Sequence, residues 1–363
     1  MRSLPFWTCF SSSDIAVDLG TANTVLSACG GEIVLSEPSV VVADARSGEP
    51  LAAGREALDL LGREGAAAIQ PLKHGMIADL WATEELLRHM IRKVRRYKRP
   101  KPRVIAAVPT GASGVQRRAV AQACMTAGAR EARLVAKPIA AAWGTGLPVE
   151  EPTGSMVLDI GAGTTEVAMI SMGAIVTSRL IPIGGQELSD RIAAHLKREH
   201  AVLVGQQAAE QIKADIGSAS PYGHDRKIEI IGRDMGSERL KTMRLTGLEI
   251  GCVLERPLAR IIEATEETLT RTPPLLACDV MDRGITLIGG GSLLHGLRDR
   301  LAGETRMPAH LADAPSTCVA IGASRLVESR TSPVAASWNV RRGAPGWPPR
   351  PPCSFRLRCT TRR

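Results

Sequence analysis

Two stretches of this 363-residue chain are built on one plan. In residues 157–170 the apolar run Val157-Leu158 reaches Asp159, passes through Ile160-Gly161-Ala162-Gly163-Thr164-Thr165 and resumes as Glu166 to Ile170. In residues 15–26 the run Ile15-Ala16-Val17 reaches Asp18, turns through Leu19-Gly20-Thr21-Ala22-Asn23 and resumes at Thr24-Val25-Leu26. Each copy reads as a strand, a tip of small residues and an antiparallel return. Each is then followed by a second small turn, Cys29-Gly30-Gly31 or Ser171-Met172-Gly173, and a third strand. A unit repeated in this way predicts an α/β fold of two similar halves facing each other across a cleft.

The tip chemistry suggests what the cleft holds. Small side chains leave successive peptide N–H groups free to wrap a phosphate, and the aspartate supplies charge for a magnesium ion. A single glycine-rich hairpin tip also serves purely steric needs. Two such tips from opposite sides would grip one nucleotide.

Length and composition bound the alternatives. The chain is long enough for two domains with separate cores. No run of eighteen apolar residues occurs, so no membrane-crossing helix is expected. Aromatics are only 3% of residues, so the interior must be aliphatic and rich in Ala. Eight Cys lack CxxC or Cys/His metal spacing and follow no secretory leader, which predicts reduced cytosolic thiols. The net charge of +9 is local: residues 331–363 hold seven Arg and no acid, leaving +2 elsewhere. Nucleic acid is therefore not an expected partner, and only Tyr97 interleaves the basic run from Arg88 to Arg103.

Residues 1–13 place Phe6, Trp7 and Phe10 near Arg2, a mildly cationic apolar segment suited to a bilayer headgroup region. A frayed terminus or a mistaken start site is the other reading. A helix is expected to begin at Thr83 with Glu84 and Glu85 in its first turn, and to run into the basic stretch. That stretch reads as a solvated helix end or as a contact for anionic lipid. Strands at 104–108 and 132–136 precede helices at 113–127 and 139–143, and residues 144–154 form a linker. The second half carries helices at 187–200 and 206–217, and strands at 227–231 and 240–245 around a polar loop. Thr246 and Glu249 form a capping box for a long helix that Pro273-Pro274 should stop. A buried strand at 285–288 enters Gly289-Gly290-Gly291-Ser292 and a helix from Leu293, a phosphate or nucleoside site or simply a tight turn. From Thr331 the Pro- and Arg-rich composition predicts disorder. That tail reads as an arm for an acidic partner or as out-of-frame translation.

Four separated motifs, in order, resemble the MreB family of bacterial actin homologues, the cell shape-determining proteins. They are Asp18 to Thr24, Asp159 to Val167, Ala209 to Lys213 with Ile216 to Ala219, and Gly289 to Leu294. Glu37-Pro38-Ser39-Val40-Val41, Ile77-Ala78-Asp79 and Gly154-Ser155-Met156-Val157 are similar to the same family, and the likeness spans about residues 14–328. It implies an actin-like ATPase fold, with two ribonuclease-H-like domains at 14–147 and 148–330 around ATP and Mg²⁺. Residues near 316–328 would pack back on the first domain. It also implies membrane-associated filaments at the cytoplasmic face of the inner membrane that organise cell-wall elongation proteins. Thr21, Ala22 and Asn23 would grip phosphates from one tip, and Gly161, Ala162, Gly163 and Thr164 from the other. Asp18 and Asp159 would act on the metal through its waters. Glu210, Gln211, Ile212 and Lys213 would hold the nucleoside, with Gly290, Gly291, Ser292 and Leu293 opposite.

Three departures from the family pattern stand out. Lys137 occupies the position before Pro138 where the family has a Glu that positions the attacking water. An ammonium there would stabilise the γ-phosphate in its ground state, so slow hydrolysis with retained binding is expected unless Lys137 points away. Ala162 replaces a glycine and requires a negative φ. The loop after Tyr97 is short and basic where relatives often carry an apolar membrane loop. A nucleotide-clamped scaffold without turnover is the main competing function. A sugar kinase lacks an identifiable substrate-phosphorylating aspartate, and a chaperone lacks a peptide-binding domain.

Overall fold

A computed structural model describes residues 14–94, 101–220, 226–328 and 339–341. The segments at 1–13 and 95–100, and most of the tail beyond residue 330, lie outside the described residues, and with them the membrane-contact reading of the first thirteen.

The duplication seen in the motifs extends to whole sheets. In the first, Ile15–Leu19 pairs antiparallel with Asn23–Ala28, which pairs antiparallel with Ile33–Pro38. On its other side Ile15–Leu19 runs parallel to Arg103–Val108, which runs parallel to Glu131–Ala136. In the second sheet Ser155–Ile160, Thr165–Ser171 and Ala174–Ile181 form the same meander, and Ile285–Ile288 and Ala309–Leu311 continue it in parallel. Each sheet has its own apolar core against its helices, built around Leu86, Met90 and Met125 in one and Leu188, Ile192 and Leu258 in the other.

A third core joins the halves. Helices Lys137–Gly144 and Cys318–Glu328 lie between the sheets, with Ala140, Ala141, Val319 and Ala323 packed on Ala16, Val157 and Ile288. They cross at backbone contact: a Cβ on Gly322 would lie 1.7 Å from the Ala140 carbonyl oxygen, and one on Gly144 1.9 Å from that of Cys318. Only residues without a side chain allow that approach.

Several boundaries differ from expectation. The helix expected from Thr83 is Leu80–Val94, because Asp79 Oδ1 accepts from Ala82 N at 2.8 Å and starts it earlier; Glu84 and Glu85 therefore fall outside the first turn. The polar loop expected at 232–238 starts later: strand Lys227–Asp234 continues through Gly232 to pair with Leu240–Thr246, and residues 235–239 make the turn. The Pro pair ends one helix but also begins another, Pro274–Arg283, since proline suits a first helical turn. No α-helix starts at Leu293. A 3₁₀ turn spans Gly290–Leu293, and the helix is Leu297–Thr305, entered through Gly296 at φ 73°. Within the tail, Asn339–Arg341 adds an antiparallel edge strand to Glu131–Ala136, where composition predicted no fixed structure.

Candidate functional site

Parallel pairing brings the chemistry to one edge of each sheet. Asp18 lies beside Ala107 in the register, so the C-terminal ends of Ile15–Leu19, Arg103–Val108 and Glu131–Ala136 present Asp18, Thr110 and Lys137 together. Asp159 lies beside Ile288 in the second sheet, which puts Gly289 next to it. Open α/β sheets bind ligands at this carboxyl-terminal edge.

The two tips touch across the cleft. A Cβ on Gly163 would sit 2.5 Å from Thr21 Oγ1 and 3.0 Å from His74 Cα. Thr21 Oγ1 accepts from Gly75 N at 2.9 Å, and His74 Nδ1 lies 3.2 Å from the Gly163 carbonyl oxygen. Gly163 is thus required by close approach, not by a left-handed backbone, since its φ is not positive. Ala162 likewise avoids positive φ, so the extra methyl imposes no backbone strain. Among the described residues, no backbone hydrogen bond is donated by the N–H of Ala162, Gly163 or Thr164, whereas Gly161 N is used on Thr164 O at 2.9 Å. Three adjacent donors without a backbone acceptor at a hairpin tip are the raw material of an anion-binding concavity.

Lys137 points into the cleft. Its Nζ lies 3.0 Å from Asp18 Oδ1, with 13% of the side chain exposed. Burial works against its charge, but Asp18, Asp159 and Glu166 outweigh that and hold its pKa above the usual lysine value. Burial pushes the Asp159 carboxyl up to about 6; Lys137 partly offsets this and Asp18 adds to it. Burial also raises Glu166, whose Oε1 accepts from Thr110 N at 2.8 Å and from the Thr110 hydroxyl, while its Oε2 has no partner among the described residues. Cys318, at the start of the second crossing helix, feels the same charges: burial first, then Asp159 and Asp18, push its thiol up to about 12.

The proposed nucleoside residues divide. Lys213, 9% exposed, donates to Gly185 O at 2.8 Å and to Glu210 Oε2 at 2.7 Å, and Ser189 Oγ donates to the same carboxylate oxygen at 2.6 Å. Gly185 in turn bonds to Gly161 O, so this cluster abuts the second tip. Gln211 instead donates to Asp215 Oδ1 on the exposed face, and the Ile212 side chain is buried in the second-domain core, so neither side chain joins the cluster. Opposite, Gly289 at φ 81° passes so close to Asp159 that a Cβ would meet its Oδ1 at 2.5 Å. Gly290 and Leu293 are exposed, Gly291 is part-buried against Ile160, and the buried Ser292 hydroxyl donates back to Gly289 O at 2.6 Å. Leu294 reaches Gly217, closing this loop onto the helix that carries Lys213.

Glu166, Thr110 and His74 were not assigned from the sequence. Their signal was positional: Glu166 follows the second tip, and Thr110 follows a strand parallel to the one ending at Asp18.

Residues 12–334 match the family model described as MreB/Mbl protein. The cell shape-determining protein MreB of Escherichia coli strain K12 is 45% identical over 325 residues, covering 87% of this chain and 94% of its own length. The cell shape-determining protein Mbl of Bacillus subtilis strain 168 is 41% identical over 319 residues, covering 87% and 96%. Among solved structures, MreB5 of Spiroplasma citri bound to ADP superposes with a TM-score of 0.81 at 33% identity, covering 87% of this chain and 95% of that one. A MamK double helical filament shares the fold at 21% identity and a TM-score of 0.73, with 87% and 99% covered. With the doubled meander, the paired tips and the sequence all in agreement, this chain belongs to the MreB/Mbl family of actin-like, cell shape-determining bacterial proteins.

Proposed function

We propose that the cleft binds ATP with Mg²⁺, that binding drives assembly into filaments along the cytoplasmic face of the inner membrane, and that Lys137 makes turnover slow. The carrying observation is the meeting of Gly163 with Thr21 and His74, which joins the two tips that follow the buried Asp18 and Asp159, with Lys137 paired to Asp18. Relatives solved with ADP and with AMPPNP, both MreB5 of Spiroplasma citri, support nucleotide as the ligand.

The residues present fit a divalent cation. Asp18, Asp159 and Glu166 face a single ammonium, so when all three are ionised the pocket keeps an excess of negative charge in a dry setting. Magnesium needs only one or two carboxylates, with water and phosphate oxygens completing its shell. Asp18 and Asp159 would hold it through water, and its chemistry would be to neutralise charge on the β- and γ-phosphates. Thr21, Ala22 and Asn23 from one tip and Ala162, Gly163 and Thr164 from the other would grip the phosphates. Glu210 and Lys213 would orient the nucleoside.

Lys137 occupies the place from which a carboxylate would align water. Its raised pKa keeps it charged, so it cannot accept a proton. Phosphate release by the native chain should be slow and should rise at least about tenfold in Lys137→Glu, because a positioned base contributes on the order of 10²–10⁴-fold. Equal rates in the two proteins would reject this role. Filament formation is tested by sedimentation with ATP and with AMPPNP. We expect nucleotide-dependent pelleting, and a monomer in both nucleotides would exclude it.

No helix among the described residues is long and apolar enough to cross a membrane. Attachment would rest on charge and on residues 1–13. Within the basic run, Arg88, Lys93 and Arg103 are already committed to Glu85, to Glu37 and Glu56, and to Asp14. Adding anionic liposomes to the sedimentation assay should increase pelleting at low salt and lose that increase at high salt. Organising cell-wall elongation proteins is the partner role that the family's cell-shape function supports.

A further inference from the structure

Away from the cleft, two imidazoles converge on one carboxylate. His195 Nε2 lies 2.8 Å and His200 Nε2 2.6 Å from the same oxygen, Glu249 Oε1. One candidate ligand atom from each residue falls within 4.8 Å of the other two. Their side chains are 16%, 31% and 26% exposed, so the group is sheltered yet open to solvent. The rings meet edge to face, with centroids 5.7 Å apart and 74° between planes. Glu249 gives up a local bond to be there. Thr246 Oγ1 accepts from Glu249 N at 3.2 Å, but the carboxylate does not return to Thr246 N, as a capping box would require, and turns to the imidazoles.

We propose that His195, His200 and Glu249 bind one zinc-class divalent cation. Two imidazole nitrogens and one carboxylate oxygen, with a fourth position left to water, suit tetrahedral Zn²⁺; hard cations such as Mg²⁺ and Ca²⁺ prefer all-oxygen sites. Ligand bonds of about 2.0–2.1 Å put tetrahedral donor atoms about 3.3 Å apart, so each nitrogen-to-oxygen spacing need open by only about 0.5–0.7 Å. Binding would replace the Nε2 protons, leaving each ring neutral and protonated at Nδ1. Around the group, Glu199 is paired with Arg198, and Lys241 donates to the His200 carbonyl.

The position gives the cation a structural task. His200 ends helix Gly185–His200 two residues before strand Val202–Leu203 enters the small three-stranded sheet, and strand Leu240–Thr246 leaves that sheet three residues before Glu249. The cation would therefore clip the entry and exit of residues 200–249, the excursion that carries Glu210 and Lys213.

The test is calorimetric titration of Zn²⁺ into the full, chelator-treated chain, with Co²⁺ absorption as a second readout. One ion per chain, a raised melting temperature and a tetrahedral Co²⁺ spectrum are expected. His195→Ala, His200→Ala and Glu249→Gln should each weaken binding at least about tenfold, since even loss of an outer-shell partner costs on the order of 10–100-fold. His200→Cys, which keeps a ligand, should retain binding even if an alanine variant folds poorly. Absence of a 1:1 complex overturns the proposal. So does affinity that survives all three variants, or that is lost instead on replacing the exposed Cys252 and Cys278 by Ser.

Discussion

The burial of Asp159 makes the cleft a store of unfavourable electrostatics in the absence of ligand. A carboxyl raised from 3.8 to about 6 binds its proton more tightly in the folded chain than in the unfolded one. Its contribution to stability is therefore fully present below the unfolded value and is lost as pH rises through about 6, a swing of up to about 3 kcal/mol. The ligand-free protein should gain melting temperature between pH 7 and pH 5, and Asp159→Asn should lose most of that gain. Matching pH slopes in thermal melts of the two proteins would place the titration elsewhere. Lys137 sets a second tension, because it puts a positive charge at the positive end of helix Lys137–Gly144, where a Glu would be favoured. Its pairing with Asp18 is what makes that charge tolerable, so the side chain proposed to slow hydrolysis is itself held by the cleft's carboxylates.

At the scale of elements, the crossing of Lys137–Gly144 with Cys318–Glu328 is the contact least open to change. Gly322→Ala would drive a methyl into the Ala140 carbonyl and should cost about 3 kcal/mol, seen as a lowered denaturant midpoint. A midpoint unchanged from the native protein would mean that the helices separate freely. Beyond the family-based expectation that residues near 316–328 pack back on the first domain, only a run of small residues hinted at this crossing, because its partners lie about 180 positions apart. Features closed within a few residues were legible: the two hairpins, and the helix expected at 113–127, which the structure shows as Gly114–Ala127. Features that needed a distant partner were not. Asn339–Arg341 becomes a strand only through Glu131–Ala136, and Glu249 meets two histidines some fifty residues upstream. The direction of Lys137 falls between these cases, since it depends on a parallel strand pairing that the chain pattern suggests without fixing its register.

For the whole molecule, two sheets that share a five-strand order, one of them extended by Asn339–Arg341, are joined by one shared core and by polar contacts at the rim. His74 to Gly163 and Thr110 to Glu166 are rim contacts between halves, and both lie where a nucleotide would be clasped. A ligand gripping both tips adds a third connection that the unfolded chain cannot offer, so it must stabilise the native arrangement by mass action. At about a hundred times its dissociation constant, ADP should raise stability by about 2.7 kcal/mol in a melt or denaturant titration. Gly163→Val should abolish most of that increment while leaving each domain's own core intact, because its side chain would collide with Thr21 and His74 and hold the tips apart. If ADP stabilised Gly163→Val as much as the native chain, the ligand would be gripping one half alone. The paired tips would then be a packing feature, and the inter-domain core by itself would have to account for the orientation of the two sheets.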